Sequence, residues 1–177
     1  DPATILFFGS ITPYKGVETL VEVFEREQAK DMRLRIVGKV SDQYDQAAPF
    51  VHRLKALSDN TENAMSASLG YQSDAQLIAE VQRAQLVVLP FERIHNSGSA
   101  IFALSFNTPL LVPSLPVFED LDQTVGPPWV QTYSGPLTAD TLRRALTAVS
   151  QADRADLGAF EWPHIAASTT DFYTSLL

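Results

Sequence analysis

Short apolar runs alternate along the chain with longer segments in which apolar residues recur at every third or fourth position. The runs at residues 5–8, 34–38 and 85–90 are mostly apolar, which is typical of strands covered on both faces of a sheet. Shorter runs of the same character lie at residues 65–69, 110–112 and 129–133. The pattern therefore predicts six strands.

The segments between these runs have the spacing of amphipathic helices. Pro49 suits the first turn of one helix, Ser73 and Gln76 form the capping box of another, and Thr138 caps a third. Residues 114–128 are rich in loop formers, so we predict at most one helical turn there. The helices are predicted at 16–28, at 49–57, after the cap at Ser73 with an apolar stripe that reaches Val81, at about 99–106 and at 139–149, with a helical tail at 157–177 that breaks near 162–163.

This alternation of strands and helices predicts β-α-β units with right-handed crossovers. The fold class is therefore α/β, a Rossmann-like doubly wound, mostly parallel sheet with helices on both faces. No repeat or internal linker divides the chain, so residues 1–177 are expected to form one domain, with about 156–177 as a C-terminal helical tail.

Composition narrows the partners of this domain. A net charge of −8 and a pI near 4.7 argue against a nucleic-acid surface, which needs clustered Lys and Arg. The absence of cysteine excludes thiolate metal sites and fits the cytoplasm. We expect no transmembrane segment or signal peptide, and a chain that starts without Met directly at a strand suggests an excised domain.

Three loops at the predicted carboxyl edge of the sheet carry chemistry suited to an anion. The first is residues 9–16 with Lys15, the second contains Gly38 and Lys39, and the third is residues 92–98 with Arg93. The third loop leads into a helix, whose N-terminal N–H groups favour negative charge. If the cations and the helix start converge on one crevice, they would bind a diphosphate.

Each of these residues also has a simpler interpretation. Gly9 and Gly38 could merely end strands, Lys15 could be a solvated turn residue, and Ser97 could be only a helix cap. The three histidines, His52, His95 and His164, are scattered and predict no metal site. No dinucleotide fingerprint, Walker motif or nucleophile elbow occurs in the sequence.

In their order and spacing these motifs resemble the carboxy-terminal, donor-binding domain of GT-B glycosyltransferases, especially the family 4 type and its bacterial exopolysaccharide relatives. That domain often opens with Gly-Arg-Leu-x-x-x-Lys-Gly, which matches GSITPYKG at residues 9–16. The resemblance continues along nearly the whole chain, through LRIVG at 34–38, LGYQSDAQL at 69–77, AQLVVLP at 84–90 and ALSFNTP at 103–109.

The resemblance implies a role for each matching position. Lys15 would contact the donor diphosphate, together with the loop residues Gly9, Ser10, Gly16, Ser97, Gly98 and Ser99. The base and ribose would lie near Gly38, Gly70, Tyr71 and Glu92. No metal or other cofactor is implied, because the nucleoside-diphosphate sugar, GDP- or UDP-linked, is a substrate.

Two departures from the family pattern affect this site. Ser10 stands where the family usually has an arginine, so Arg93 or Lys39 would have to supply the second cation. Ile94 and Phe102 stand where a pair of glutamates is usual, so the ribose carboxylate is missing unless Glu92 or Glu119 replaces it. These departures leave both retaining and inverting transfer open.

The function implied is sugar transfer from a nucleoside-diphosphate sugar to a saccharide or lipid-linked acceptor in bacterial surface polysaccharide or glycolipid synthesis. The acceptor site and the catalytic base would lie on an amino-terminal domain absent from this chain, so the isolated chain would bind nucleotide without transferring sugar. The full-length enzyme could associate peripherally with a membrane. The alternatives are a sugar-nucleotide epimerase of the GT-B type and a non-catalytic nucleotide-sugar-binding or interaction module.

Overall fold

A computed structural model describes residues 1–27, 31–45, 48–57, 59–94, 97–149 and 155–161 of the 177-residue chain. Its strands are β1 (Ala3–Phe8), β2 (Met32–Gly38), β3 (Met65–Leu69), β4 (Leu86–Val88), β5 (Leu110–Pro113) and β6 (Val130–Tyr133). Its α-helices are α1 (Val17–Glu27), α2 (Pro49–Ala56), α3 (Asp74–Arg83), α4 (Gly98–Ser105), α5 (Pro116–Val125) and α6 (Ala139–Ala148). Short 3₁₀ turns lie at Pro13–Lys15 and Gly158–Phe160.

The six strands form one sheet in the order β3-β2-β1-β4-β5-β6, and every neighbouring pair is parallel. The chain moves outward from β1 to β3, then returns to place β4 on the other side of β1. This reversal leaves a crevice between the carboxyl ends of β1 and β4, where such sheets bind their ligands. The predicted α/β, Rossmann-like doubly wound fold is confirmed.

The apolar strands form the middle of the core. Consecutive residues Ile5, Leu6 and Phe7 of β1 are fully buried, so both faces of the central strand are covered. The helices pack on the sheet through buried apolar side chains, such as Leu20 and Phe24 of α1 and Leu142 of α6. The sheet and its helices thus hold the loops at the carboxyl edge on a rigid base.

Most predicted elements are found within a few residues of their predicted ends. The predicted capping box is present: the Ser73 hydroxyl accepts the Gln76 N–H, and the Gln76 side chain accepts the Ser73 N–H. The helix cap at Thr138 is also confirmed, since its side chain accepts the Thr141 N–H. Pro113, predicted to stop a strand, is instead its last residue and pairs with Tyr133.

Residues 114–128 correct the prediction of a loop with at most one helical turn. The helix α5 has ten residues, starts with Pro116 at a position where proline costs no hydrogen bond, and buries Phe118 and Leu121. At the tail, a 3₁₀ turn at Gly158–Phe160 stands where the predicted helix would begin. The rest of that predicted helix, with Trp162 and His164, lies outside the described residues.

Candidate functional site

A crevice of about 670 Å³ lies between the carboxyl ends of β1 and β4. Three chain segments contribute to it: the 3₁₀ turn after β1, the loop after β4, and the first residues of α4. Its lining residues are Tyr14, Lys15, Phe91, Arg93, Ile94, Ser97, Gly98 and Ser99. Lys15, Arg93 and the Ser97–Ser99 segment, which were predicted to converge, therefore share one cavity.

Hydrogen bonds between neighbouring loops fix the first segment. The Ile11 N–H donates to the carbonyl of Lys39 at 2.8 Å, and the Ser41 N–H donates to the carbonyl of Ile11 at 2.9 Å. The Lys15 N–H then donates to the carbonyl of Thr12 at 3.0 Å and closes the 3₁₀ turn. These bonds hold the backbone of Lys15 close to the end of β1.

Two glycines allow this loop to lie close to its neighbours. Gly9 has a φ of 116°, and a Cβ on it would lie 3.5 Å from Ser99 Oγ and 3.7 Å from Lys15 Nζ. Gly16 has a φ of 65°, and a Cβ there would lie only 2.0 Å from the carbonyl oxygen of Pro90. The close approach of Pro90 therefore excludes a side chain at residue 16, whereas at residue 9 it is the positive φ that favours glycine.

Lys15 is the half-buried cation of the crevice. Its Nζ lies 5.3 Å from the centroid of the Phe91 ring, within the range of a cation–π contact. Burial lowers the pKa of Lys15 below its ordinary value of 10.5, and Tyr14 partly offsets this effect. No carboxylate of the described ranges pairs with Lys15, so a bound anion would compensate for the water that the ammonium has lost.

Arg93 approaches the crevice from the loop after β4. Its guanidinium carbon lies 5.5 Å from the centroid of the Tyr14 ring. The Glu92 N–H donates to the carbonyl of Tyr14 at 2.8 Å and ties this loop to the first segment. Arg93, like Lys15, has no carboxylate partner in the part of the chain that the structure describes.

The start of α4 forms the third side of the crevice. The Ser97 hydroxyl accepts the Ala100 N–H at 3.1 Å, so its predicted capping role is present. A Cβ added to Gly98 would meet no atom within 4 Å, which leaves the backbone of this first helical residue open to a ligand. The positive end of the helix dipole thus adds to the two cations.

The remaining predicted residues lie outside the lining of this crevice. Ser10, Lys39, Glu92 and Tyr71 are exposed, Tyr71 by 89%. Glu92 is close enough to Tyr44 that its charge, after burial and the charge of Glu18, raises the pKa of that phenol. The predicted base and ribose contacts of these residues stay predictions, and the predicted loop residues His95 and Asn96 fall outside the described ranges.

Gly38 and Gly70 differ in what surrounds them. A Cβ on Gly38 would lie 1.8 Å from the carbonyl oxygen of Gly9, so close packing of β1 and β2 is sufficient to require a glycine there. Gly70 has a φ of 148° and open space around it. Glu119, weighed as a substitute carboxylate, accepts a hydrogen bond from Ser114.

Sequence reasoning missed the aromatic part of the site. Tyr14 and Phe91 line the crevice beneath the two cations, although neither was predicted to contact a ligand. Their positions beside Lys15 and at the end of β4 were the available signals. Phe102, at the position of a missing glutamate, packs against Phe8 and Phe106 with ring centroids 5.7 and 5.0 Å away.

Within the described ranges, no group of three or more His, Cys, Asp and Glu side chains could hold a metal ion. Among the helices described here, none is both long and apolar enough to span a bilayer.

The family described as "Glycosyl transferases group 1" matches residues 1–120 of the chain. Over 167 residues, 93% of the chain, the sequence is 37% identical to the "GDP-mannose:glycolipid 4-beta-D-mannosyltransferase" of Xanthomonas campestris pv. campestris. The chain covers 46% of that relative, so it spans about half the length of the curated protein it matches.

Solved structures share the architecture at low sequence identity. The catalytic domain of starch synthase IV from Arabidopsis thaliana, bound to ADP and acarbose, aligns with 98% of the chain at a TM-score of 0.67 and 14% identity. An α,α-trehalose-phosphate synthase (UDP-forming) from Burkholderia vietnamiensis aligns with 86% of it at 0.64 and 16% identity. The chain covers 38% and 39% of these proteins. At such identities the likeness establishes the fold alone.

Proposed function

Since the chain belongs to the group 1 glycosyl transferases, we propose that it is the donor-binding part of a glycosyltransferase. The whole enzyme would transfer a sugar from a nucleoside-diphosphate sugar to an acceptor in surface polysaccharide or glycolipid synthesis. One observation carries this proposal: Lys15, Arg93 and the start of α4 line the same crevice at the carboxyl edge of the sheet.

These groups suit the chemistry of the leaving nucleotide. When the sugar departs, negative charge develops on the diphosphate, and positive groups already in position stabilise it. Lys15 would supply one cation. Arg93 would supply the second, in place of the arginine that is usual at the position of Ser10, since Arg93 lines the crevice and Lys39 does not. We expect these side chains and the helix start, rather than a metal, to neutralise the diphosphate.

The name of the relative supports one class of donor over the other. The Xanthomonas protein is named for GDP-mannose and a glycolipid, and it is 37% identical to this chain over 167 residues. We therefore expect a GDP-sugar, with GDP-mannose as the first candidate, in preference to a UDP-sugar.

The acceptor side of the reaction would lie elsewhere. Because the chain covers 46% of its relative, we expect an amino-terminal domain to supply the acceptor site and the catalytic base. A glycolipid acceptor would bring a cytoplasmic enzyme to the membrane surface. No observation favours the epimerase or the non-catalytic module.

Calorimetric titration of the chain with GDP, UDP, ADP, GDP-mannose and guanosine tests the proposal. Replacing Lys15 by alanine removes a charged hydrogen-bond donor, so GDP binding should weaken by about tenfold or more while guanosine binding changes little. Lys39→Ala is the matched control, because Lys39 is exposed and lies outside the crevice lining. Equal loss for GDP and guanosine, or no binding of GDP, UDP or ADP to the unaltered chain, would refute a diphosphate site here.

A further inference from the structure

Tyr14 lies where the two loops of the crevice meet. Its ring lies beneath the guanidinium of Arg93, with 5.5 Å between Arg93 Cζ and the ring centroid. Its carbonyl accepts the Glu92 N–H at 2.8 Å. It also directly precedes Lys15 in the 3₁₀ turn. Tyr14 is therefore linked to both cations of the crevice: it is bonded to Lys15 in sequence, and it contacts Arg93 and the neighbouring Glu92 in space.

Tyr14 contacts Arg93 through the face of its ring and not through its hydroxyl. The guanidinium carbon of Arg93 lies over the ring, and in the described part of the chain the Tyr14 hydroxyl makes no hydrogen bond to Arg93. Arg93 is exposed, and an exposed arginine samples many rotamers in water. A planar ring beneath the guanidinium reduces that freedom and leaves the N–H groups free to face a ligand.

Lys15 has an equivalent support in Phe91, but that support also belongs to the core. Phe91 is 2% exposed and packs against Phe7 and Phe118, with ring centroids 6.5 and 6.2 Å away. A change at Phe91 would disturb the core and the crevice together. Tyr14 is only half-buried, so its effect on Arg93 can be measured separately.

We propose that Tyr14 is a positioning residue, whose ring holds the Arg93 guanidinium over the crevice in the orientation that binds the donor diphosphate. This inference rests on the proposed function. Tyr14 itself would not contact the phosphates through its hydroxyl. Its contribution would reach the ligand through Arg93.

The test measures GDP and guanosine affinities of Tyr14→Leu, Tyr14→Phe, Arg93→Ala and the double variant Tyr14→Leu/Arg93→Ala. Tyr14→Leu removes the ring and should weaken GDP binding about threefold to fivefold, the effect of one exposed cation–π contact. Tyr14→Phe keeps the ring and should bind GDP like the unaltered chain. In the Arg93→Ala background, Tyr14→Leu should cause no further loss, because the side chain that it positions is gone.

Guanosine affinity and the thermal midpoint of each ligand-free variant control for a purely structural effect. Tyr14→Met is a second variant without a ring, and its flexible side chain fills the space if leucine packs badly. Unchanged GDP binding in both ringless variants, or an equal loss in the Arg93→Ala background, would overturn the inference. Lys15→Ala would still weaken GDP in that case, and the proposed function would stand. If none of GDP, UDP and ADP binds the unaltered chain, both proposals fail.

Discussion

Arg35 and the two cations of the crevice lie in different surroundings. Arg35 on β2 is 6% exposed, and its guanidinium donates to Glu80 at 2.7 and 3.1 Å and to Asp59 at 2.7 Å. In the crevice, Lys15 and Arg93 lie over aromatic rings instead. Across the described ranges, neither has a carboxylate partner within 4 Å.

The difference shows which cations are available to a ligand. Burial alone would lower the pKa of Arg35, but its hydrogen bonds to Glu80 and Asp59 raise that pKa overall. Its charge is therefore paired with carboxylates within the chain. The pKa of Lys15 is lowered by burial with no carboxylate to compensate. We infer that a cation without a carboxylate partner among the described residues, such as Lys15, is available to a ligand, whereas a paired one, such as Arg35, serves the fold.

The largest expected effect comes from breaking the Arg35 cluster. Arg35→Met should lower the free energy of unfolding by about 3 kcal/mol, because it leaves a nearly buried carboxylate without its partner. This value is at the low end for such losses, since Glu80 is 15% exposed but Asp59 is 67% exposed and regains water. Urea unfolding measures the change, and GDP affinity of the folded variant should stay unchanged.

Arg33→Met is the matched control on the same strand. Arg33 pairs with Glu62 at 3.4 Å, and the Glu62 side chain is 77% exposed. A solvated pair of this kind contributes up to about 1 kcal/mol, so the control should lose much less stability. Similar losses in the two variants, or weaker GDP binding by folded Arg35→Met, would show that Arg35 does not differ from the crevice cations in this way.

The next effect is a pH dependence of donor binding that originates in Lys15. GDP affinity should fall as the pH rises through the lowered pKa of Lys15, below 10.5, because the ammonium that faces the diphosphate is lost. The fall should approach tenfold, or about 1.4 kcal/mol. In Lys15→Arg this component should disappear below pH ~12, since arginine stays protonated.

The stability of the ligand-free chain should change in the opposite direction. Between the pKa of folded Lys15 and 10.5, the unfolded chain binds more protons at this residue than the folded chain does. The Lys15 contribution to folding stability therefore rises with pH across that window. Urea unfolding of the chain and of Lys15→Met isolates this contribution by difference. A difference that does not vary with pH would show that Lys15 keeps its ordinary pKa.

The regular elements could be predicted because their causes are local. Apolar runs indicate strands covered on both faces, and the Ser73 capping box needs only two residues three positions apart. The helix α5 was missed because the prolines and short polar residues around it indicated a loop. Its actual start depends on Pro116 at the first helical position and on the burial of Phe118.

The site could be predicted in part for a similar reason. Lys15, Arg93 and the start of α4 each follow a strand, and the carboxyl ends of parallel strands share one edge. The aromatic supports depend on which strands are neighbours: Tyr14 follows β1, Arg93 follows β4, and only the sheet order brings them together. The need for glycine at residue 16 likewise arises from Pro90, which is distant in sequence.

The smallest expected effect is that of a substitution at Gly98, where a side chain should affect GDP binding but not folding. A Cβ at this position meets no atom within 4 Å, so Gly98→Ala should change the free energy of unfolding by less than about 1 kcal/mol, and in the stabilising direction. The same methyl group would keep a phosphate from the first backbone N–H groups of α4, so GDP binding should weaken about threefold to fivefold, the effect of one hydrogen bond. Calorimetry with GDP and guanosine, alongside urea unfolding, measures both changes. If GDP binds Gly98→Ala as tightly as the unaltered chain, the helix start does not contact the diphosphate, and Lys15 and Arg93 would then have to bind it by themselves.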